Sequence, residues 1–452
     1  MNEQLQNPQP PQGLLNWLKE SVTVKLLFIG FLILLLLIPS NMIQSLIGER
    51  ALRQDDMEKD VSDKWSASQL IQGPVLVIPY KRQYKDKDAN NKEIIKEVIE
   101  NLYILPEDLH IKAAINSEIL HRGMFETVVY NTRIKIQGSF KTEPGKLAIA
   151  PGQLLLDRAK LTFSISDLKG LKTNPVIKSG GQTLQAEPVF NEKGLFNNGL
   201  QAGINLTEMA DKPVPFDFDL DLKGSQELSF LHTGKTTDVE VNGNWATPSF
   251  DGRYLPDYRK VDAKGFIAKW RMLYYNRPFA QQWAANDTLL NKMQNHDDAV
   301  FGVKLKVPVD QYQKTMRTSK YCILIILLTF ISLFLTELIS KQKIHVFNYI
   351  LIGAAMIIYY ILLLSFSEQI GYNLAYLIAS VATITLVATF IASLLKNKLV
   401  ALLFAAILAI FYIFIFVIIQ LEDLALLIGS VALFIIISAL MYFSRKINWD
   451  KQ

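Results

Sequence analysis

The chain has 452 residues, half of them apolar, with 47 Lys and Arg against 42 Asp and Glu. A mean hydropathy of +0.19 is too high for a soluble globule with this many charges, so the average hides a split between an oily part and a charged part. A net charge of +5 without a basic run or arginine-rich stripe excludes a nucleic-acid footprint, and a single cysteine, Cys322, excludes an intrachain disulfide.

Residues 1–23 read as a cytoplasmic tail, rich at first in Asn, Gln and Pro. Lys19 and Lys25 introduce an apolar run from Leu26 to Leu46. The run is long and lacks a small-residue cleavage site, so 24–47 is expected to be an uncleaved signal anchor, kinked at Pro39.

Residues 48–320 hold 38 of the 47 basic and 35 of the 42 acidic side chains. A charge-laced helix is expected from Gly48 to Gln69, broken at Gln72-Gly73-Pro74. Strands are then expected at Pro74–Tyr80, Thr132–Phe140, Lys160–Leu168, Val214–Leu222, Thr237–Val241, Lys264–Tyr275 and Val300–Val309, where apolar and polar residues alternate or β-formers cluster. A helical piece is expected around Pro278–Asn295. The spacing points to antiparallel sheets, in a sandwich or an elongated β structure.

From 321 to 443 five apolar runs follow one another, each of about 20 residues, the length an α-helix needs to cross roughly 30 Å of hydrocarbon. Lipid offers the backbone no partners, so each run must be helical. The expected fold is therefore a polytopic α-helical membrane protein with six spans, one plus five, and a large β-rich extracytoplasmic domain between spans 1 and 2. A cytoplasmic tail, 444–452, ends the chain.

Nine basic residues lie outside the large domain: Lys19, Lys25, Lys341, Lys343, Lys396, Lys398, Arg445, Lys446 and Lys451. With the N-terminus inside, all nine fall on the cytoplasmic side. The two short outer loops, at Ser367-Glu368-Gln369 and Gln420-Leu421-Glu422-Asp423, contain none. Both termini are thus expected in the cytoplasm and 48–320 in the periplasm.

Candidate sites each carry two readings. Glu337 is the one carboxylate inside an expected span. It is either an interfacial pair with Lys341 at i+4 or a proton or cation site facing the bundle. Glu368, Glu422 and Asp423 are either solvated loop ends or docking points for the base of the outer domain, where Lys314, Arg317 and Lys320 lie. Asp217, Asp219 and Asp221 share one strand face, which is either a calcium site or, more commonly, a solvated face. Gly234-Lys235-Thr236 lacks the upstream glycine of a phosphate loop, Ser229 standing there, and reads as a turn. His110, His121, His232, His296 and His345 show no zinc spacing, so no metal, cofactor or catalytic residue is expected. The aromatic group Trp245, Tyr254, Tyr258, Trp270, Tyr274, Tyr275 and Trp283 is either core or a stacking surface for glycan or peptide. Ala375, Ala379 and Ala382, and likewise Ala425 and Gly429, are expected to be helix-packing seams.

Several stretches resemble the CreD family of bacterial inner-membrane proteins. They are LLLLIPSNMIQSLIGER with QGPVLVIPY, HRGMFETVVYNTRI, LSFLHTGKTTDVEVNGNWATPSFDGRYLP with GFIAKW, KYCILIILLTFISLFLTEL, NYILIGAAMIIYYILLLSFSEQIGYNLAYLIAS and LEDLALLIGSVALFIIISALMYFSRKINWD. They cover nearly the whole chain in order. The outer-loop SEQIGY departs from a family form with His in place of Gln369. The resemblance implies a polytopic inner-membrane protein linked to envelope integrity, toxin tolerance and β-lactam-type stress, with no known catalytic residue.

Three functions stand as expectations. The first is a non-enzymatic envelope-integrity protein whose partners are the bilayer and an envelope protein, lipid or glycan. The second is a transporter or lipid-handling protein. The third is a cell-wall hydrolase or transferase using dispersed residues such as Asp217, His232 and Asp251.

Overall fold

A computed structural model describes residues 22–444 apart from 88–92, 124, 144–146, 148, 190–194, 197, 210–211, 285–296, 306–310, 341, 343 and 422–424. The chain divides into two compact units, residues 1–54 with 309–452, and residues 55–308. The expected domain limits, 48 and 320, differ from these, because Tyr312, Thr315 and Thr318 are buried within the helical unit.

Seven described helices run α1 Val22–Trp65, α2 Gln311–Lys320, α3 Cys322–Ser340, α4 Val346–Ile370, α5 Tyr372–Leu395, α6 Lys398–Gln420 and α7 Ala425–Ser444. Four of them, α1, α4, α5 and α6, are long and apolar enough to cross a membrane. A fifth is added if α2 and the start of α3, bent by 41° at their junction, count as one span. Large apolar side chains such as Phe31, Ile358, Leu377 and Ile413 point outward, which only a lipid solvent tolerates in such number.

Local signals set the helix ends. The Asn397 carboxamide accepts from the N–H groups of Leu399 and Val400 at 3.0 and 3.3 Å and so caps α6. His345 caps α4 in the same way through Phe347 N–H at 3.2 Å. Gly353 of α4 faces Leu36 of α1 so closely that a β-carbon would strike the leucine side chain. In α5 the buried face is Tyr372, Ala375, Tyr376, Ala379, Ser380 and Thr383. Ala382 is exposed, so the expected seam continues through Thr383 instead, as a 3.6-residue period requires.

The second unit holds two β-sheets. Among the described residues the first has nine strands. Its main path runs Ser249–Gly252, Val300–Lys304, Glu227–Leu231, Gln69–Lys87, Ala159–Ile165, Gly199–Ile204 and Glu187–Val189. Glu93–Ile104 branches from Gln69–Lys87, and Gln282–Ala284 pairs with it. The second sheet has eight, in the order Tyr258–Asp262, Gly265–Leu273, Thr236–Gly243, Asp108–Arg122, Phe125–Phe140, Val214–Ser225, Val176–Ser179 and Gln182–Gln185.

Alternation builds the shared core. Val214, Phe216, Phe218, Leu220 and Leu222 are buried on one face of their strand. Phe218 meets Phe163 of the other sheet with ring centres 5.0 Å apart, and Trp270 meets Phe301 at 5.6 Å. Pairing is mostly antiparallel, but Thr236–Gly243 lies parallel to Asp108–Ile115.

Two local expectations are corrected. The break expected at Gln72-Gly73-Pro74 comes earlier: α1 ends at Trp65, and the strand Gln69–Lys87 runs through Pro74 with a register shift between Gln72 and Val75, as suits a residue without an N–H. The expected helix at Pro278–Asn295 contains the strand Gln282–Ala284, because Trp283 stacks on Tyr103 at 5.4 Å and pairing overrides local propensity. The rest of that stretch, 285–296, lies outside the described residues.

Candidate functional site

Glu337 of α3 is only 9% exposed. Its carboxylate accepts from the Lys25 ammonium of α1 and from the Tyr349 hydroxyl of α4 at 3.2 Å. Lys25 also donates to the Ile344 carbonyl at 2.7 Å and lies 5.6 Å from the Tyr349 ring centre. A charge in a span is tolerated when paired in this way. Lys341, the expected partner, lies outside the described residues.

Glu368, at the end of α4, accepts from the Tyr312 hydroxyl at 3.0 Å and stands 4.0 Å from Arg50. It thus joins α1, α2 and α4. Lys314 lies 6.0 Å from the Tyr372 ring centre. Glu422 and Asp423 lie outside the described residues. Around the middle of these helices Tyr359, Tyr360, Tyr376 and Tyr412 are buried together, with Tyr359 4.8 Å from both Tyr360 and Tyr412.

In the β unit the three aspartates separate. Asp217 takes Gln137 at 2.9 Å and Lys135 at 3.8 Å, Asp221 takes Lys172 at 3.8 Å, and Asp219 is exposed. They form a solvated face, and no cluster of three or more metal-binding side chains occurs among the described residues. Gly234-Lys235-Thr236 is a turn held by the carbonyls of Pro106 and Glu107. Lys304 engages the Asp251 carboxylate.

His232 is fully buried, and neither ring nitrogen makes a well-formed hydrogen bond. Burial, with the Arg277 charge adding to it, pushes its pKa down to about 4, so it is neutral at physiological pH. Its ring meets Tyr254 edge-on at 5.8 Å. Arg277, 7% exposed, donates to the carbonyls of Thr233 and Phe279 and to the Gln281 carboxamide. All three acceptors are neutral. Burial pushes this guanidinium down to about 10.

Tyr254 and Arg277 line an open cleft of about 490 Å³ together with Arg253, Tyr275, Asn276, Pro278 and Asp298. Gly252, at φ +100°, makes the turn that aims Arg253, since a β-carbon there would strike the Val300 carbonyl. Tyr254 is fixed at both ends: its hydroxyl donates to the Asn276 carbonyl and its carbonyl accepts from Trp270 at 3.0 Å. Of the aromatic group, Trp270 and Trp283 are core, while Tyr275 is 92% exposed.

Sequence reasoning singled out Glu337 and Glu368 as candidates but missed Lys25 as the partner of Glu337, because no local spacing links positions this far apart. It also missed Arg253 and Arg277. A weak signal existed in Arg277, set between Asn276 and Pro278 inside an aromatic-rich segment.

Comparison with known proteins adds two findings. The family model described as "Inner membrane protein CreD" matches residues 21–450. The "Inner membrane protein CreD" of Escherichia coli (strain K12) is 29% identical over 424 residues, 92% of this chain and 91% of that protein.

Proposed function

This chain belongs to the CreD family of inner membrane proteins, and from that premise we propose that it is a non-enzymatic support of cell-envelope integrity under envelope or antibiotic stress. In this reading six spans, α1, α2 with α3, and α4 to α7, hold both termini in the cytoplasm. The β unit stands in the periplasm and binds an envelope component.

The observation that carries the reading is the placement of Lys and Arg. The nine basic residues outside the large domain all fall beside apolar runs on one side, and the two short loops on the other side have none. Residue chemistry supports the non-enzymatic part: His232 bonds to no serine or carboxylate among the described residues, and Asp251 is engaged by Lys304.

The test is rescue of a strain lacking this protein, challenged with a β-lactam or a membrane-active toxin. Full-length chain restores survival, and so do His232→Phe, Asp217→Asn and Asp251→Asn. Loss of rescue by folded forms of these variants would overturn the non-enzymatic reading.

A second reading, transport or lipid handling, draws on the buried hydroxyls of Tyr359, Tyr360 and Ser380 among the helices. It predicts that Tyr359→Phe with Tyr360→Phe abolishes rescue without lowering the amount of protein in the membrane. Unaltered rescue would remove it.

A further inference from the structure

We propose that the cleft beside Tyr275 is a binding site for an acidic saccharide, with the sugar ring on the tyrosine face and its phosphate or carboxylate between Arg253 and Arg277. The assignment deepens the envelope-binding role and rests on it only for the source of the ligand.

Three features point the same way. First, a buried cation is costly unless compensated. The hydrogen-bond acceptors of Arg277 are all neutral, Glu107 acts on it only through space, and it has no ion pair among the described residues. Three of its five N–H groups are accounted for by the acceptors given above, so two remain, and a guanidinium presents them in a plane that matches a carboxylate or phosphate edge. Second, Arg253 brings a second guanidinium to the same cleft, exposed and likewise without an ion pair among the described residues. The one carboxylate in the lining, Asp298, pairs with neither, and suits sugar hydroxyl donors as an acceptor.

Third, Tyr275 exposes nearly its whole ring at the cleft that the two guanidinium groups line. It sits at the centre of the tight turn Tyr274–Asn276, with Tyr274 edge-on to it at 6.1 Å and Arg277 5.1 Å over the Tyr274 ring. The ring is therefore presented on a braced turn rather than a loose loop. Aromatic faces stack on the apolar faces of pyranose rings, and the cleft volume of about 490 Å³ suits one or two sugars. A bare phosphate would use the arginines and leave Tyr275 idle. A neutral sugar would use Tyr275 and leave both guanidinium groups without a bound anion.

The experiment is calorimetric titration of the full chain in detergent with N-acetylglucosamine 1-phosphate, N-acetylmuramic acid and neutral N-acetylglucosamine. The first two distinguish a phosphate from a carboxylate source. At least one acidic sugar is expected to bind about tenfold or more tightly than the neutral one. Tyr275→Ala and Arg253→Gln, both exposed and safe for folding, each weaken that binding by about tenfold. Arg277→Lys keeps the charge but loses the planar fork and weakens it too. Absence of acidic-sugar binding, equal affinity for the neutral sugar, or variants that bind like the parent would overturn the proposal. Titration does not depend on which side of the membrane the unit occupies. A negative result with the β unit outside therefore removes the ligand alone, and a positive result with it inside removes the envelope source.

Discussion

Lys25 and Glu337, 312 residues apart in the chain, form an ion pair in the helical unit, with Tyr349 as a second donor to the carboxylate. The pair ties α1 to α3 and α4. Removing one partner of a fully buried pair costs about 3–5 kcal/mol, and this part-buried pair is expected to cost less, whereas replacing both with apolar side chains is close to neutral. Lys25→Met and Glu337→Met are each expected to lower the melting temperature of the purified protein. Lys25→Met combined with Glu337→Met is expected to recover most of the loss. Additive losses in the double variant would contradict the pairing.

In the β unit Asp167 gathers three donors. Its carboxylate accepts from Ala67 N–H and Lys169 N–H, each at 3.0 Å, and from the Ser66 hydroxyl at 3.1 Å. Burial alone would raise its pKa, but these donors outweigh burial and hold the carboxyl below the usual range. Such a group contributes stability that is complete above its unfolded value of 3.8 and disappears as pH falls through the lower folded value. Asp167→Ala is expected to cost about 2–4 kcal/mol at neutral pH. Denaturant unfolding measures this, and the deficit relative to the parent narrows only below pH 4.

His232 acts with the same sign in a higher pH window, through burial that disfavours its charged form. Its folded pKa, about 4, lies below the ordinary 6.5. The unfolded chain therefore takes up the proton first as pH falls, and stability is lost between pH 6.5 and 4, by about 3 kcal/mol in all. His232→Phe keeps a ring against Tyr254 and removes two buried nitrogens that lack good hydrogen bonds. It is expected to leave stability at pH 7 unchanged or raised, and to flatten the acid slope over that window. A parent-like slope in the variant would show that other groups set it.

Glu368 yields a gentler prediction. With Tyr312 at 3.0 Å and Arg50 at 4.0 Å it is a polar clasp rather than a close ion pair. Glu368→Gln keeps the Tyr312 acceptor and is expected to cost under about 1 kcal/mol, while Glu368→Ala loses both contacts and costs about 1–3 kcal/mol. Thermal melts of the two variants separate the hydrogen bond from the charge.

The oily runs and the alternating strands were legible in the residues because each follows a short period. Val214 to Leu222 announces a buried face two residues at a time, and α4 to α6 are apolar all round. What escaped has a long-range cause. Trp283 joins a strand because Tyr103 lies opposite, and no property of residues 278–295 alone records that. Composition puts Ala382 on a packing seam, whereas the helical period passes to Thr383. The Arg253 and Arg277 cleft needed the fold itself, since a turn at Gly252 and a turn at Tyr274–Asn276 bring separate segments to one surface.

We propose that the β unit faces the periplasm while the basic hinges face the cytoplasm. Cys322 is buried, so Cys322→Ala followed by Lys260→Cys places one thiol on an exposed strand of that unit. A membrane-impermeant maleimide applied to intact spheroplasts is expected to label this thiol fully, with no gain on lysis. Labelling that appears only after the membrane is broken would put the β unit in the cytoplasm and contradict the account.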